Sequence, residues 1–519
     1  MPLFSVTTAL YSTGLLLGWW LYGFVQERKN NPSGLPLPPG PKGYPIIGNL
    51  FNIPIHQPWL VYDEWSKTYG DMFYFKALGQ HFLVLSTVER AYDLFERRSS
   101  NYSDRSRFPM LNELMDWTWN MAFQPYGLWW RRLRRTFHDH FHPNIVHKYH
   151  HIQINSSRVF LRRLLKSPDD FMLHIRHAFT ETIMKISYGI TISDDDESYV
   201  TTAEIALASM AEVGNPGSFF VDLLPIMKYI PAWFPGAEWK KKANYWRYIS
   251  ELFANKPWDT VKAQVKEGTA NPCIATTLIE KLPDESSPDR ADEELLARNT
   301  CAVSFAGGAD TTVSTVQSFF MAMALYPEVQ RKAQKELDAV LNGRLPEFND
   351  RPSLPYINAM VKESMRWQLV APLAVPHKTS EADEYNGYYI PKGTLVIGNE
   401  WSMLHDPEVY KDPEVYNPER FLKDGKIDPT VRDPIVAFFG FGRRICPGRF
   451  FAENSMFSLI SHILSVYDIR PGLDESGKEI VITPMMTSGL LSYPEPFTCR
   501  ITPRSKKAAE LIRNSDLME

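Results

Sequence analysis

The sequence predicts a mainly α protein with a small β region, carried on one N-terminal transmembrane helix. Three observations lead there. Residues 1–25 hold no charged side chain. Most of the remaining chain repeats apolar residues at helical spacing. Runs with strand character are few and short. Composition sets the outer limits: 519 residues, 44% hydrophobic, 22% charged and a formal net charge of −4. These values exclude disordered, collagen-like and coiled-coil chains. Bulk charge gives no case for nucleic-acid binding.

The N-terminus comes first. The apolar stretch ending at Val25 is long enough to cross about 30 Å of hydrocarbon as a helix. Trp19, Trp20 and Tyr22 suit the interfacial belt at its far end. A cleaved signal peptide is the competing reading, but it wants a basic start and a small-residue cleavage site. The bases follow the span instead, at Arg28, Lys29 and Lys42, which places the body of the protein in the cytosol. Residues 1–27 are therefore expected to be an anchor helix. Residues 28–45, with Pro32, Pro36, Pro38, Pro39 and Pro41, form a stiff extended hinge. No compositional break follows, so residues 46–505 are expected to be one domain, although length alone would suggest about three. Residues 506–519 read as a charged tail that frays.

Within the body, helical spacing covers residues 88–98, 128–140, 149–166, 171–188, 293–326, 327–342 and 354–368. Strand-like runs fall at 72–77, 81–86, 388–390, 394–397 and 497–501. Residues 255–288 are polar and proline-containing, and are expected to be a surface loop with a poorly defined helix. Histidines crowd residues 138–151, but no acid or cysteine completes a metal set, so a solvated helix is the reading there. The sequons at Asn101 and Asn155 are expected to stay unglycosylated on a cytosolic domain.

Cys273, Cys301, Cys446 and Cys499 form no C-x-x-C pair, so each is judged singly. Cys446 lies in Phe439-Gly440-Phe441-Gly442-Arg443-Arg444-Ile445-Cys446-Pro447-Gly448. Glycines there allow positive φ and close approach of the backbone to a flat cofactor. Amides at the following helix start lower a thiol pKa, and Arg444 can pair with a cofactor carboxylate. A buried structural cysteine at a glycine turn fits the loop equally well. Upstream, Gly307-Gly308-Ala309-Asp310-Thr311-Thr312 lies in a long apolar helix. Glycines there cost about 1 kcal/mol each against alanine, so a groove or a local bulge must account for them. The threonine hydroxyl can bond a carbonyl one turn back. A glycine-kinked core helix is the alternative.

The Cys446 loop resembles the heme-binding loop of cytochrome P450 enzymes, F-x-x-G-x-R-x-C-x-G, at Phe439, Gly442, Arg444, Cys446 and Gly448. Those fixed positions are expected by chance in roughly one chain in ten thousand of this length. The Gly307–Thr312 segment resembles the family's oxygen-activating helix. Glu363 and Arg366 fit its E-x-x-R helix, and Arg420 its partner loop. Trp130 and Arg134 fit its W-x-x-x-R helix, and His377 the strand position beside a propionate.

The resemblance covers roughly residues 35–503 and implies the cytochrome P450 fold, with residues 46–505 as the catalytic domain. It implies heme b with Cys446 as the axial thiolate on iron. Trp130, Arg134, His377, Phe439, Gly442, Arg444 and Gly448 would hold the cofactor, and Glu363, Arg366 and Arg420 would form a buried structural cluster. Thr311 would steer protons and Asp310 relay them. A pocket of Trp117, Phe123, Phe305, Ala309, Leu373 and Met486 would take the substrate. Its flavour is that of basidiomycete microsomal enzymes, which implies an endoplasmic reticulum membrane protein of secondary metabolism or xenobiotic oxidation. It would oxidise an apolar aromatic, polycyclic or terpenoid molecule with O2. Electrons would come from NADPH–cytochrome P450 reductase, docked on the basic run Arg131, Arg132, Arg134 and Arg135. The competing readings are a heme-thiolate isomerase or dehydratase without reductase, and a membrane-tethered heme sensor.

Overall fold

The computed structural model describes residues 18, 29, 31–192, 198–214 and 217–515. The expected anchor lies outside the described residues. Among those described, no helix is long and apolar enough to cross a membrane.

Helix dominates, as the spacing predicts. The long helices are α1 (Pro58–Tyr69), α2 (Leu128–Phe141), α3 (His150–Lys166), α4 (Phe171–Tyr188), α5 (Ser198–Val213) and α6 (Glu238–Glu267). They continue as α7 (Arg290–Leu325), α8 (Pro327–Leu341), α9 (Pro355–Trp367), α10 (Arg449–Val466) and α11 (Lys506–Arg513). One five-stranded sheet joins β1 (Met72–Ala77), β2 (Gln80–Leu85), β3 (Asp104–Arg105), β4 (His377–Lys378) and β5 (Leu395–Gly398) in the order β1-β2-β5-β4-β3. β2 and β5 run parallel, with Val84 opposite Ile397. The other pairs are antiparallel.

Helix α7 is buried along most of its 36 residues, which is why it is apolar on every side. Its glycines answer two different demands. A Cβ on Gly308 would stand 2.7 Å from Ile183 Cγ1, so Gly308 lets α4 and α7 approach closely. A Cβ on Gly307 would meet nothing within 4 Å, because that face is a groove. The helix stays α-helical through both, without a bulge.

Two expectations need correction. Residues 255–288 are not mainly loop: α6 runs to Glu267 with Pro257 inside it, and Ile274–Ile279 is helical. Proline costs an interior helix about 3 kcal/mol. Burial of Trp246, Phe253, Trp258 and Val261 on one face offsets that cost. The start of the charged tail does not fray: α11 is capped by Ser505, whose hydroxyl accepts from Ala508 N, and it buries Ala508 and Ile512. The proline-rich segment, expected as a stiff extended hinge, is also bonded to the domain along part of its length. Tyr74 N donates to Pro39 O at 2.8 Å and Tyr389 N to Pro36 O at 2.9 Å. At Gly40 a Cβ would fall 1.8 Å from Tyr74 O, so no other residue allows this approach.

The two glycines give a paired test. Gly308→Ala should lower unfolding free energy by about 1–3 kcal/mol through overpacking. Gly307→Ala should leave it unchanged or raise it by up to about 1 kcal/mol. Chemical denaturation of both variants measures the difference, and equal losses would contradict the groove.

Candidate active site

The main cavity, of about 310 Å³, lies between α7, the Cys446 loop and the loop before β4. Its volume is that of a small-molecule site.

The loop places the sulfur. Gly440 (φ +73°) and Gly442 (φ +59°) sit in the left-handed region that favours glycine. A Cβ on Gly442 would also collide with Phe95 O, at 2.0 Å. Cys446 N donates to Phe439 O at 2.8 Å and closes the turn. Cys446, Phe439 and Gly448 all line the cavity. Gly442 stays behind it as the turn that shapes the loop. Burial pushes the thiol pKa up, while the Gly448 amide, Arg134 and Arg449 pull it down. The expected lowering at the helix start is thus outweighed by desolvation.

Charge gathers at the same cavity. Arg444 donates to Ser103 O (2.8 Å), Met121 O (3.1 Å) and Gln124 O (2.9 Å). Arg134 donates to Ile445 O. Arg105 donates to Ala122 O (2.9 Å), Val375 O (2.6 Å) and Pro376 O (3.0 Å). Burial pulls both Arg134 and Arg444 down to about 10. Among the described residues none of these arginines has an ion-paired carboxylate. Asp104 acts on Arg105 and Arg444 only through space, and buried cations without a paired carboxylate fit a ligand that brings carboxylates of its own. Trp130 lines the cavity, donates to Met121 O at 3.0 Å and lies under the Arg444 guanidinium, 4.3 Å from its ring centre. His377 stacks on Phe95 at 4.1 Å, and its Nδ1 donates to Tyr102 O at 2.6 Å. Desolvation first, then Arg105, pushes its pKa well below the ordinary value, so the ring is neutral.

On α7 the groove is lined by Gly307, Gly308 and Thr311. The Thr311 hydroxyl donates to Gly307 O at 2.7 Å. Asp310, the expected relay, does not line the cavity. Its carboxylate accepts from Arg176 on α4 and from the Tyr493 hydroxyl. Burial pushes its pKa up, while Arg176 and Tyr493 oppose the rise.

Of the expected pocket residues only Phe123 lines the cavity. Phe305 and Ala309 lie two residues from Gly307 and Thr311, about half a turn round the helix. Phe305 stacks on Phe253 at 4.3 Å instead. Trp117 stacks on Trp119 at 4.9 Å in the same aromatic layer. Leu373 and Met486 pack into the main core. Val303, Val370, Leu490 and Leu491 supply the apolar wall. Arg105, Asn120 and Glu400 also line the cavity and were missed; each lies outside a recognised motif.

The Glu363 cluster is brought together behind the cavity. Arg366 makes a two-pronged contact with Glu363, Nε to Oε2 at 2.8 Å and Nη2 to Oε1 at 2.9 Å. Arg420 Nε reaches Oε1 at 3.2 Å, and Asn417 N donates to it at 2.8 Å.

A cysteine at a glycine turn, a helix groove and unpaired arginines in one cavity define a heme-thiolate oxygenase site. The chain matches the cytochrome P450 family over residues 38–499, and it belongs to that family. It is 46% identical over 516 residues to the cytochrome P450 monooxygenase COX2 of Coprinopsis cinerea, covering 99% of this chain and 98% of the relative. It is 42% identical over 482 residues to the tryptamine 4-monooxygenase of Psilocybe cyanescens, covering 92% and 94%. A cytochrome P450 monooxygenase of Armillaria gallica is 42% identical over 517 residues, covering 99% and 100%. The protein is a cytochrome P450 monooxygenase, an oxidoreductase that uses heme, and the isomerase and sensor readings fall away.

Glu363→Ala should cost about 3–5 kcal/mol, because it leaves the Arg366 and Arg420 guanidinium groups without their anion. Urea unfolding checks this, and a loss under about 1 kcal/mol would contradict a shared buried anion.

Proposed function

We propose that Cys446 is the axial thiolate of a heme b held by Trp130, Arg134, His377 and Arg444, and that the enzyme oxidises an apolar aromatic, polycyclic or terpenoid small molecule. The observation that carries this reading is the meeting of the Cys446 sulfur, unpaired arginines and the Gly307–Thr311 groove in one cavity. Bound heme supplies the activation of O2 with two electrons. The chain's own groups do the rest. Phe439 covers the sulfur side, and the loop's carbonyl and amide partners keep the cysteine from moving. Thr311 keeps a hydroxyl proton at the groove, bonded to Gly307 O. Relay duty for Asp310 requires its side chain to leave Arg176 and Tyr493; in the packed position it ties α7 to α4. Val303, Val370 and Leu491 exclude water and favour a neutral, greasy substrate.

Electrons reach the site from NADPH–cytochrome P450 reductase, which docks on α2. Arg131 and Arg135 are exposed there. Arg132 pairs with Glu293 at 2.6 Å, and Arg134 is spent inside. The endoplasmic reticulum membrane is the proposed location. In support, Ile46, Phe51, Ile55, Ile226, Tyr229 and Trp233 are each at least 70% exposed. A Cβ on Gly217, nine residues before Ile226, would lie 3.5 Å from Ile53 of the first segment. A patch of this kind marks a lipid or protein surface.

Two measurements test these readings. NADPH consumption with reductase should fall steeply with ionic strength, and Arg131→Glu with Arg135→Glu should raise KM for reductase. Turnover indifferent to salt would contradict the docking face. Protein lacking residues 1–30 should still float with phospholipid vesicles, and Ile226→Ser with Trp233→Ser should reduce that fraction severalfold. Equal flotation of the substituted protein would contradict the membrane face.

A further inference from the structure

Among the described residues Glu400 is the one acid lining the cavity. It opens the short helix Glu400–Leu404. The backbone on both sides is fixed. Asn399 N donates to Leu85 O at 2.8 Å and Asn399 Nδ2 to Trp59 O at 2.9 Å. Trp401 N donates to Pro372 O at 3.1 Å. The Glu400 side chain therefore cannot swing out to water, and it is 2% exposed.

Its Oε1 is sealed from solvent without a hydrogen-bond partner, and no bond to its carboxyl is made among the described residues. A Cβ on Gly440 of the Cys446 loop would lie 3.8 Å from that oxygen. The cation that influences it is Arg105, yet Arg105 is spent on the Ala122, Val375 and Pro376 carbonyls and forms no ion pair with it. An ionised carboxylate in such a place costs several kcal/mol. Burial accordingly pushes the Glu400 pKa well above the carboxylate range. A neutral carboxyl has one proton to donate and needs an acceptor. Arg105 and Arg444 have no acceptor atoms, and the Nε2 of neutral His377, an acceptor once Nδ1 donates to Tyr102 O, makes no bond to Glu400 among the described residues. Heme b carries two carboxylates, so it brings acceptors into a cavity whose charged lining, apart from Glu400, is three arginines.

We propose that Glu400 is a further heme-contacting residue of this chain, donating a hydrogen bond from its carboxyl to a carboxylate of the cofactor. This adds an uncharged donor to the arginines. It rests on heme occupying the cavity, so each variant is first examined for its ferrous–CO absorption. A retained thiolate-type band shows that the site itself stands, whatever Glu400 does. Heme transfer from the purified holoenzyme to apomyoglobin is then timed. Glu400→Leu should transfer heme about tenfold faster or more, the loss expected for one hydrogen bond to a charged group. Glu400→Gln, which keeps a donor, should stay within about threefold of the parent. A leucine variant as slow as the parent, or a glutamine variant as fast as leucine, would overturn the proposal. Reduction-induced infrared difference spectra of the parent and Glu400→Gln give a second readout that does not depend on the leucine variant folding. The parent should show a protonated-carboxyl band that glutamine removes, and a parent with carboxylate bands alone would overturn the proposal.

Discussion

Buried positive charge with no ion-paired carboxylate among the described residues is the constraint on which this structure depends; Asp104 acts on Arg105 and Arg444 only through space. Arg105, Arg134 and Arg444 face one cavity and bond only backbone carbonyls there. Carbonyl dipoles hold guanidinium groups in place but do not neutralise them. In the proposed site the cofactor's carboxylates would supply the anions, and its binding would become part of the fold's electrostatic balance. Burial pushes the Cys446 thiol up, and as the proposed iron ligand it would be held as a thiolate.

The surrounding architecture holds that arrangement still. Helix α7 passes the cavity with one glycine open to it and the next pressed against Ile183. Asp310, Arg176 and Tyr493 fasten α7 to its neighbours. The Cys446 loop is fixed by left-handed glycines and by the closeness of Phe95. Glu363 gathers its arginines and the Asn417 amide at the back of the core, away from the chemistry. Glu400 stands apart as an acid in a cation-lined space.

Much of this was legible in the sequence because it is local. Left-handed turns at Gly440 and Gly442, the i,i+3 pair Glu363–Arg366 and the Trp130–Arg134 helix face are written within a few residues of one another. What was not legible depends on how distant segments pack. Phe305 and Ala309 read as pocket residues, but the phase of α7 takes both off the groove lining, and Phe305 stacks on Phe253. Pro257 reads as a breaker until the buried face of α6 is known. The partners of Asp310, Arg176 and Tyr493, lie far away in the chain and carry no signal beside it in the sequence. Arg105 and Glu400 carry no local signature, and only the tertiary structure brings them to the cavity.

The ferrous–CO difference spectrum of the parent enzyme and of Cys446→Ser tests the central claim most directly. A red-shifted Soret band of thiolate type in the parent, abolished in Cys446→Ser, is the result this account predicts. The same band persisting without the Cys446 sulfur, or absent from heme-loaded parent enzyme, would contradict it.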